Sequence, residues 1–278
     1  MTLYTVKTTH KSDTTPVKVV VDPVHVDDIP AAMDKMKWNT AAKLMRHWFS
    51  IKPAFVITDD IRSGNIDPLK LKSNQYNDDI VKIDWLLSHR TWQAADVLVH
   101  HTWRSEKGIS RLRDLLAKAG WHKGKSTPTY LGSPAFTARE CDAYCQVNLR
   151  TAGTKFDLID GLFGAIGNGT LKIAVIGKAF NDKGRDLFHV EKTGIYLRDT
   201  YDFTGDDEIL GVWSKDKVLG KLETVAYMTD PIESDFEGYV TVYNRDFRRW
   251  QKVHNSGGDF VVYSDIKWRS QKDLYVEL

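Results

Sequence analysis

Only two cysteines, Cys141 and Cys145, occur in 278 residues, so the chain is no disulfide-stapled scaffold and must hold together by a hydrophobic core. Their C-x3-C spacing matches neither a redox C-x-x-C nor half of a zinc ribbon, and it reads as a pair of reduced thiols in the core or at the surface. Long apolar runs are missing too. The longest, such as LKIAVIG at 171–177, fall far short of the roughly 20 residues that cross a bilayer. The opening MTLYTVKTTHKSDTTPVKVVVDP lacks the charged head, apolar run and small-residue cleavage site of a secretory signal. Charge of one sign is not in excess: 39 basic and 37 acidic residues leave +2, too weak a field to draw in a polyanion, and nucleic acid is not an expected partner. There is no G-x-S-x-G, and the GNG at 167–169 is neither a Walker loop nor a dinucleotide fingerprint. Adjacent His100 and His101 would diverge by about 100° on a helix, and no H-x-x-x-H or H-E-x-x-H is present. Nucleophile-elbow hydrolases, NTP and NAD(P) enzymes and a helix-borne zinc site are thereby set aside.

What is there begins with nine tryptophans, mostly in the first half, which suggest thick helix packing rather than one aromatic cage. Residues 1–24 read as a lead-in ending in a β-branched run, VKVVV at 17–21, that suits a strand. Asp28, Pro30 and apolar residues at helical intervals from Ile29 to Trp48 predict one or two helices. A long helix is predicted over 80–105, where Ile83, Leu87, Trp92, Ala95, Val99 and Trp103 recur every three to five positions, and a third ends just before Gly120. After the turn-rich stretch 122–136 the pattern changes. Strands are predicted near 169–180, 186–198, 221–229, 237–244 and 258–266, with hairpin-type turns at NDKG (181–184) and NSGGD (255–259). The expected class is α+β: a mainly helical region over 25–150 and an antiparallel, β-barrel-like region over 151–278.

GIYLRDTYDFTGDDEILGVWS, residues 194–214, starts as a strand and then places Asp199, Asp202, Asp206 and Asp207 within nine residues. Period two sends Tyr196, Arg198, Thr200 and Asp202 to one face, and Leu197, Asp199 and Tyr201 to the other. The two aspartates converge only if the chain bends, which FTGDD permits; otherwise the segment is a strand ending in a solvated acidic turn. VYNRDFRRWQKVH at 242–254 supplies Arg245, Arg248 and Arg249 beside Phe247 and Trp250. Such a patch suits an anionic head group, or else is a solvated basic helix turn with its aromatics packed inward. Asp259, beside two glycines, reads as turn chemistry.

DTYDF, Asp199 to Phe203, resembles the Asp-x-Tyr-Asp signature of the colicin M-type bacteriocins. That resemblance implies a partly open β-barrel toxin domain that hydrolyses lipid II, the lipid-linked peptidoglycan precursor, between prenyl carrier and diphosphate. By position it makes Asp199, Tyr201 and Asp202 the catalytic residues. Asp199 and Asp202 would hold a metal, most plausibly Mg²⁺, and Arg245, Arg248 and Arg249 would be phosphate ligands. The His-Arg pair that follows the motif in those toxins is missing: GDDEILG stands in its place. Over a longer span, YDFTGDDEILGVWS, NRDFRRWQ and GGDFVVYSDIKW resemble an uncharacterised bacterial family often encoded beside type VI secretion genes. This implies synthesis in the cytoplasm, export by a contractile apparatus to the target-cell periplasm, and a secretion component or cognate immunity protein as partner. The alternative is a non-enzymatic adaptor, chaperone or immunity-type protein.

Overall fold

Pro30 sits in the first turn of helix α1 (Ile29–Lys35), where its missing N–H costs nothing, and α2 (Asn39–Ser50) follows after Lys37 adopts a φ of 64°. Both bury their apolar stripe, with Ile29, Met33, Leu44 and Trp48 all at 2% exposure or less. The structure is a computed structural model, and it describes residues 23–153, 160–230 and 236–278. The strand expected at 17–21 and nearly all of the lead-in lie outside the described residues.

The short helix α3 (Asp59–Ser63) is capped at both ends: Thr58 Oγ1 accepts the Ile61 N–H, and Gly64 closes it at a φ of 77°. Strand β1 (Tyr76–Val81) comes next. The single helix expected over 80–105 is broken into α4 (Ile83–Leu86) and α5 (Arg90–Thr102). Its first residues belong to β1, Asp265 Oδ1 caps Ile83 N at 2.6 Å, and His89 is extended as the residue preceding α5. α6 (Glu106–Lys118) is capped by Ser105 and is followed by Gly120 at a φ of 87°, as its sequence predicts. Trp48, Trp92 and Trp103 are buried, in keeping with packing rather than a cage.

The remaining elements are β2 (Thr129–Leu131), α7 (Ala138–Tyr144), β3 (Gln146–Ala152), α8 (Gly161–Ala165), β4 (Gly169–Asp182), β5 (Arg185–Tyr201), β6 (Ile209–Trp213), α9 (Lys221–Thr229), β7 (Val240–Tyr243), α10 (Asn244–His254), β8 (Phe260–Ser264) and β9 (Lys267–Glu277). β4 and β5 form the long hairpin expected around NDKG, with Lys183 and Gly184 both at positive φ as its turn requires. β5 then pairs with β9 over its first half and β8 over its last residues, while β2 and β3 pair with β4. β1 joins β8 in parallel. The result is an α+β protein with a seven-stranded mixed sheet, and among the described residues it does not close into the barrel-like region expected. Strands β1, β2 and β3, from the region read as mainly helical, pair with strands from beyond residue 151, and one hydrophobic cluster runs through both.

Two further expectations change. The segment 221–229 is helix, because Glu223 accepts the Gly220 N–H at 2.7 Å as an N-terminal cap and Leu222, Val225 and Met228 recur every three residues. NSGGD makes no hairpin: Asn255, at a φ of 44°, ends α10, and Gly257, at 90°, leads into β8. Cys141 and Cys145 are free and buried. The β4–β5 ladder slips its register at Gly177, where an added Cβ would lie 2.0 Å from the His189 carbonyl oxygen. Gly177→Ala is therefore expected to lower the unfolding free energy by about 1–3 kcal/mol in urea titration, because backbone rather than a movable side chain must yield.

Candidate active site

β5 divides its side chains between two environments, as its alternation predicts. On one face Tyr196 and Arg198 meet Asp142 of α7, which also accepts hydrogen bonds from Tyr263 Oη at 2.9 Å and Lys172 Nζ at 2.5 Å. Burial holds the Lys172 ammonium below its usual range, and this network ties α7 to β4, β5 and β8. Asp199 and Tyr201 point to the other face. There they line a cavity of about 180 Å³ whose walls come from α1, α2, α8, β6 and α10.

The chain turns at the end of β5, so Asp202 lines the same cavity despite its opposite parity. The bend that FTGDD permits is thus present, and Asp199, Tyr201 and Asp202 are brought together. Asp199 is half-buried, and loss of solvent pushes its carboxyl well above the usual carboxylate range; the Thr200 N–H offsets part of this, while the Asp202 charge adds to it. Burial raises Asp202 as well, and the Arg62 Nε bond at 2.7 Å offsets only part of that rise. Both carboxyls thus sit above the usual range, Asp199 the further and without a bonded guanidinium to offset it. Tyr201 is buried, its hydroxyl pushed up by desolvation, and its ring stacks on Phe260 at 5.4 Å. The cavity wall is otherwise apolar and aromatic, with Phe203 stacked on Phe247 at 3.9 Å and Trp38 edge-on to Trp213 at 6.1 Å. Trp38 also borders a more polar cleft of about 400 Å³.

The three arginines of the basic segment are not assembled around the carboxylates as expected. Arg248 comes nearest, its Nε donating to the Phe203 carbonyl at 2.8 Å. Its other nitrogens form a two-bond pair with Asp259, 2.8 Å each. Arg245 pairs with Asp207 and lies over the Tyr243 ring, and Arg249 is exposed and forms no ion pair among the described residues. Sequence reasoning missed Arg62 and misread Asp259. Asp259 is fully buried and also accepts from Trp48 Nε1 and Ile57 N, which is pairing across the core rather than turn chemistry. The capped motif T-D-D-I-R-S-G marks a helix carrying Arg62, but nothing local says that it meets Asp202.

The expected Mg²⁺ fits this donor set poorly. A hard cation needs several ionised oxygens, whereas Asp202 is committed to Arg62 and Asp199 is driven toward its neutral form. Among the described residues no three His, Cys, Asp or Glu side chains converge as ligands. Nor, among them, is any helix long and apolar enough to cross a membrane.

No curated protein and no solved structure matches the chain. A model described as a family of unknown function (DUF6402) matches residues 24–278, a span that includes the whole cavity, both carboxylates and every strand of the sheet. The chain thus belongs to the family of unknown function DUF6402.

Proposed function

We propose that the chain is an antibacterial hydrolase that cuts a phosphate ester or anhydride carried on an apolar tail, the lipid-linked precursor class that the Asp-x-Tyr-Asp resemblance implies. The observation that carries this reading is the meeting of Asp199 and Asp202 at a single apolar cavity, Asp199 driven further toward its protonated form and Asp202 bonded to Arg62. The tail enters the cavity. Asp202 takes a proton from the attacking water as the water oxygen bonds to phosphorus. The phosphorus–oxygen bond to the tail breaks, and Asp199 gives its proton to the departing oxygen. Exchange with solvent then restores both carboxyls. A neutral Asp199 also removes one repulsion against the phosphate, and the reading is supported by Arg62, about a third exposed, which sets a guanidinium beside Asp202. Delivery by a contractile secretion apparatus, action in the target-cell periplasm and a cognate immunity protein complete the proposal.

Expression of the chain and of Asp202→Ala in the cytoplasm and periplasm of a sensitive bacterium tests it. Lysis restricted to periplasmic expression and abolished by the substitution is the expected result; harmless expression in both compartments would overturn it. One feature favours a second reading, a non-enzymatic binding partner. Helix α9 buries none of its residues and presents Leu222, 88% exposed, together with Val225 and Met228.

A further inference from the structure

We infer that the cavity at the end of β5 is a binding site for an organic cation, an ammonium group on a short apolar chain or ring, with Asp199 as its counter-ion. At about 180 Å³ it is slightly larger than an engineered apolar cavity of roughly 150 Å³ that takes up benzene, so a guest of six to eight heavy atoms fits.

Among the described residues the charge on its wall is of one sign: Asp199 and Asp202 line it, and no Lys, Arg or His does. The cations just outside are already engaged: Arg62 with Asp202 and Asp59, and Arg248 with Asp259 and the Phe203 carbonyl. Asp202 has its partner in Arg62. Among the described residues no cation bonds or ion-pairs with Asp199: Arg198 acts on it only through space, and the hydrogen bond to its carboxyl comes from the neighbouring Thr200 N–H. An unpaired carboxyl among Trp38, Trp213, Phe163, Phe203 and Phe247 combines an ion-pair partner with aromatic faces, the two features that attract an ammonium out of water. A neutral alcohol placed there would leave the ion pair unmade. Seating an ammonium beside Asp199 draws its carboxyl into the ionised form, so the proton it carried passes to solvent. The site is the one proposed for the substrate's tail, so such a cation would also block it. Cation binding itself, however, does not rest on the hydrolase reading.

Calorimetric titration of the full chain with hexylammonium and with hexanol, in two buffers of different ionisation enthalpy, tests the assignment. Hexylammonium is expected to bind at least about tenfold tighter than hexanol, since hydrogen bonds to charged groups carry about 1.5–3 kcal/mol. Protons should be released, up to about one per ligand bound. Asp199→Asn should lower the hexylammonium affinity by about tenfold and abolish the proton release, leaving hexanol unaffected. Ala165→Leu, which adds side chain at the cavity wall, should weaken both guests. Equal binding of amine and alcohol, or undiminished amine affinity in Asp199→Asn, would overturn the assignment. Because no turnover is measured, a chain without hydrolase activity gives the same readouts.

Discussion

Asp259→Ala is expected to destabilise the protein by about 3–5 kcal/mol, the cost of breaking a buried ion pair from one side. The carboxylate is fully buried and receives four donors: both terminal nitrogens of Arg248, Trp48 Nε1 and Ile57 N. Removing it leaves the Arg248 guanidinium with, among the described residues, only the Phe203 carbonyl and Gln251 Oε1 as acceptors. The effect spreads because those donors come from three places, α2, the segment before α3 and α10, and because Arg248 in turn holds the Phe203 carbonyl just past β5. Denaturant titration measures it. Replacing Arg248 by Met as well should recover part of the loss, since the charge stranded by the first substitution is gone. An Asp259→Ala protein within about 1 kcal/mol of the parent would show that the pair does not anchor the core.

Asp199→Asn is expected to move activity and stability in opposite directions. Hydrolysis should fall by about 10²–10⁴-fold, because an amide has no acidic proton to give the leaving oxygen. Stability should rise at neutral pH. Burial lifts the Asp199 carboxyl in the folded chain, so folding takes up a proton. The stability from this group is complete below the unfolded carboxylate value, near 4, and is lost as pH rises through the higher folded value. Asparagine does not titrate, so the variant's advantage should be absent in acid and grow toward neutrality, as thermal melts across that range would reveal. The same proton would give the proposed hydrolysis an upper pH limb. A parent and variant with parallel stability–pH curves would show that Asp199 is not held in an uncommon protonation state.

The opposed effects follow from the site's construction. A carboxyl beside aromatic rings, with no bonded cation among the described residues, costs the fold free energy, as groups at functional sites commonly do. Asp202, three residues on, illustrates the alternative solution, since Arg62 offsets part of the effect of its burial.

The alternation along YLRDTYD placed Tyr196 and Arg198 opposite Asp199 and Tyr201, and Gly205 with its flanking aspartates signalled the bend. NDKG announced its hairpin for the same reason: positive-φ turns are written in two or three residues. Expectations failed where a local pattern had two physical uses. Asn255, Gly257 and Gly258 suit a hairpin and a helix-to-strand turn equally. KLETVAYMT satisfied a strand's composition until Glu223 capped a helix. Arg62 lies 140 residues from Asp202, and Trp48 lies 211 from Asp259; neither pairing leaves a trace in the neighbouring sequence.

Backbone preference, capping and side-chain alternation act over a few residues, and through them the amino-acid order alone determined an α+β chain, a long β4–β5 hairpin and a strand that turns Asp199 away from Arg198. Tertiary structure decided that the sheet stays open, that Arg248 is spent on Asp259 while Arg62 answers Asp202, and that the two aspartates share an apolar cavity. Those outcomes depend on which desolvated charges can be paired when distant segments pack, a balance that no short stretch of sequence contains.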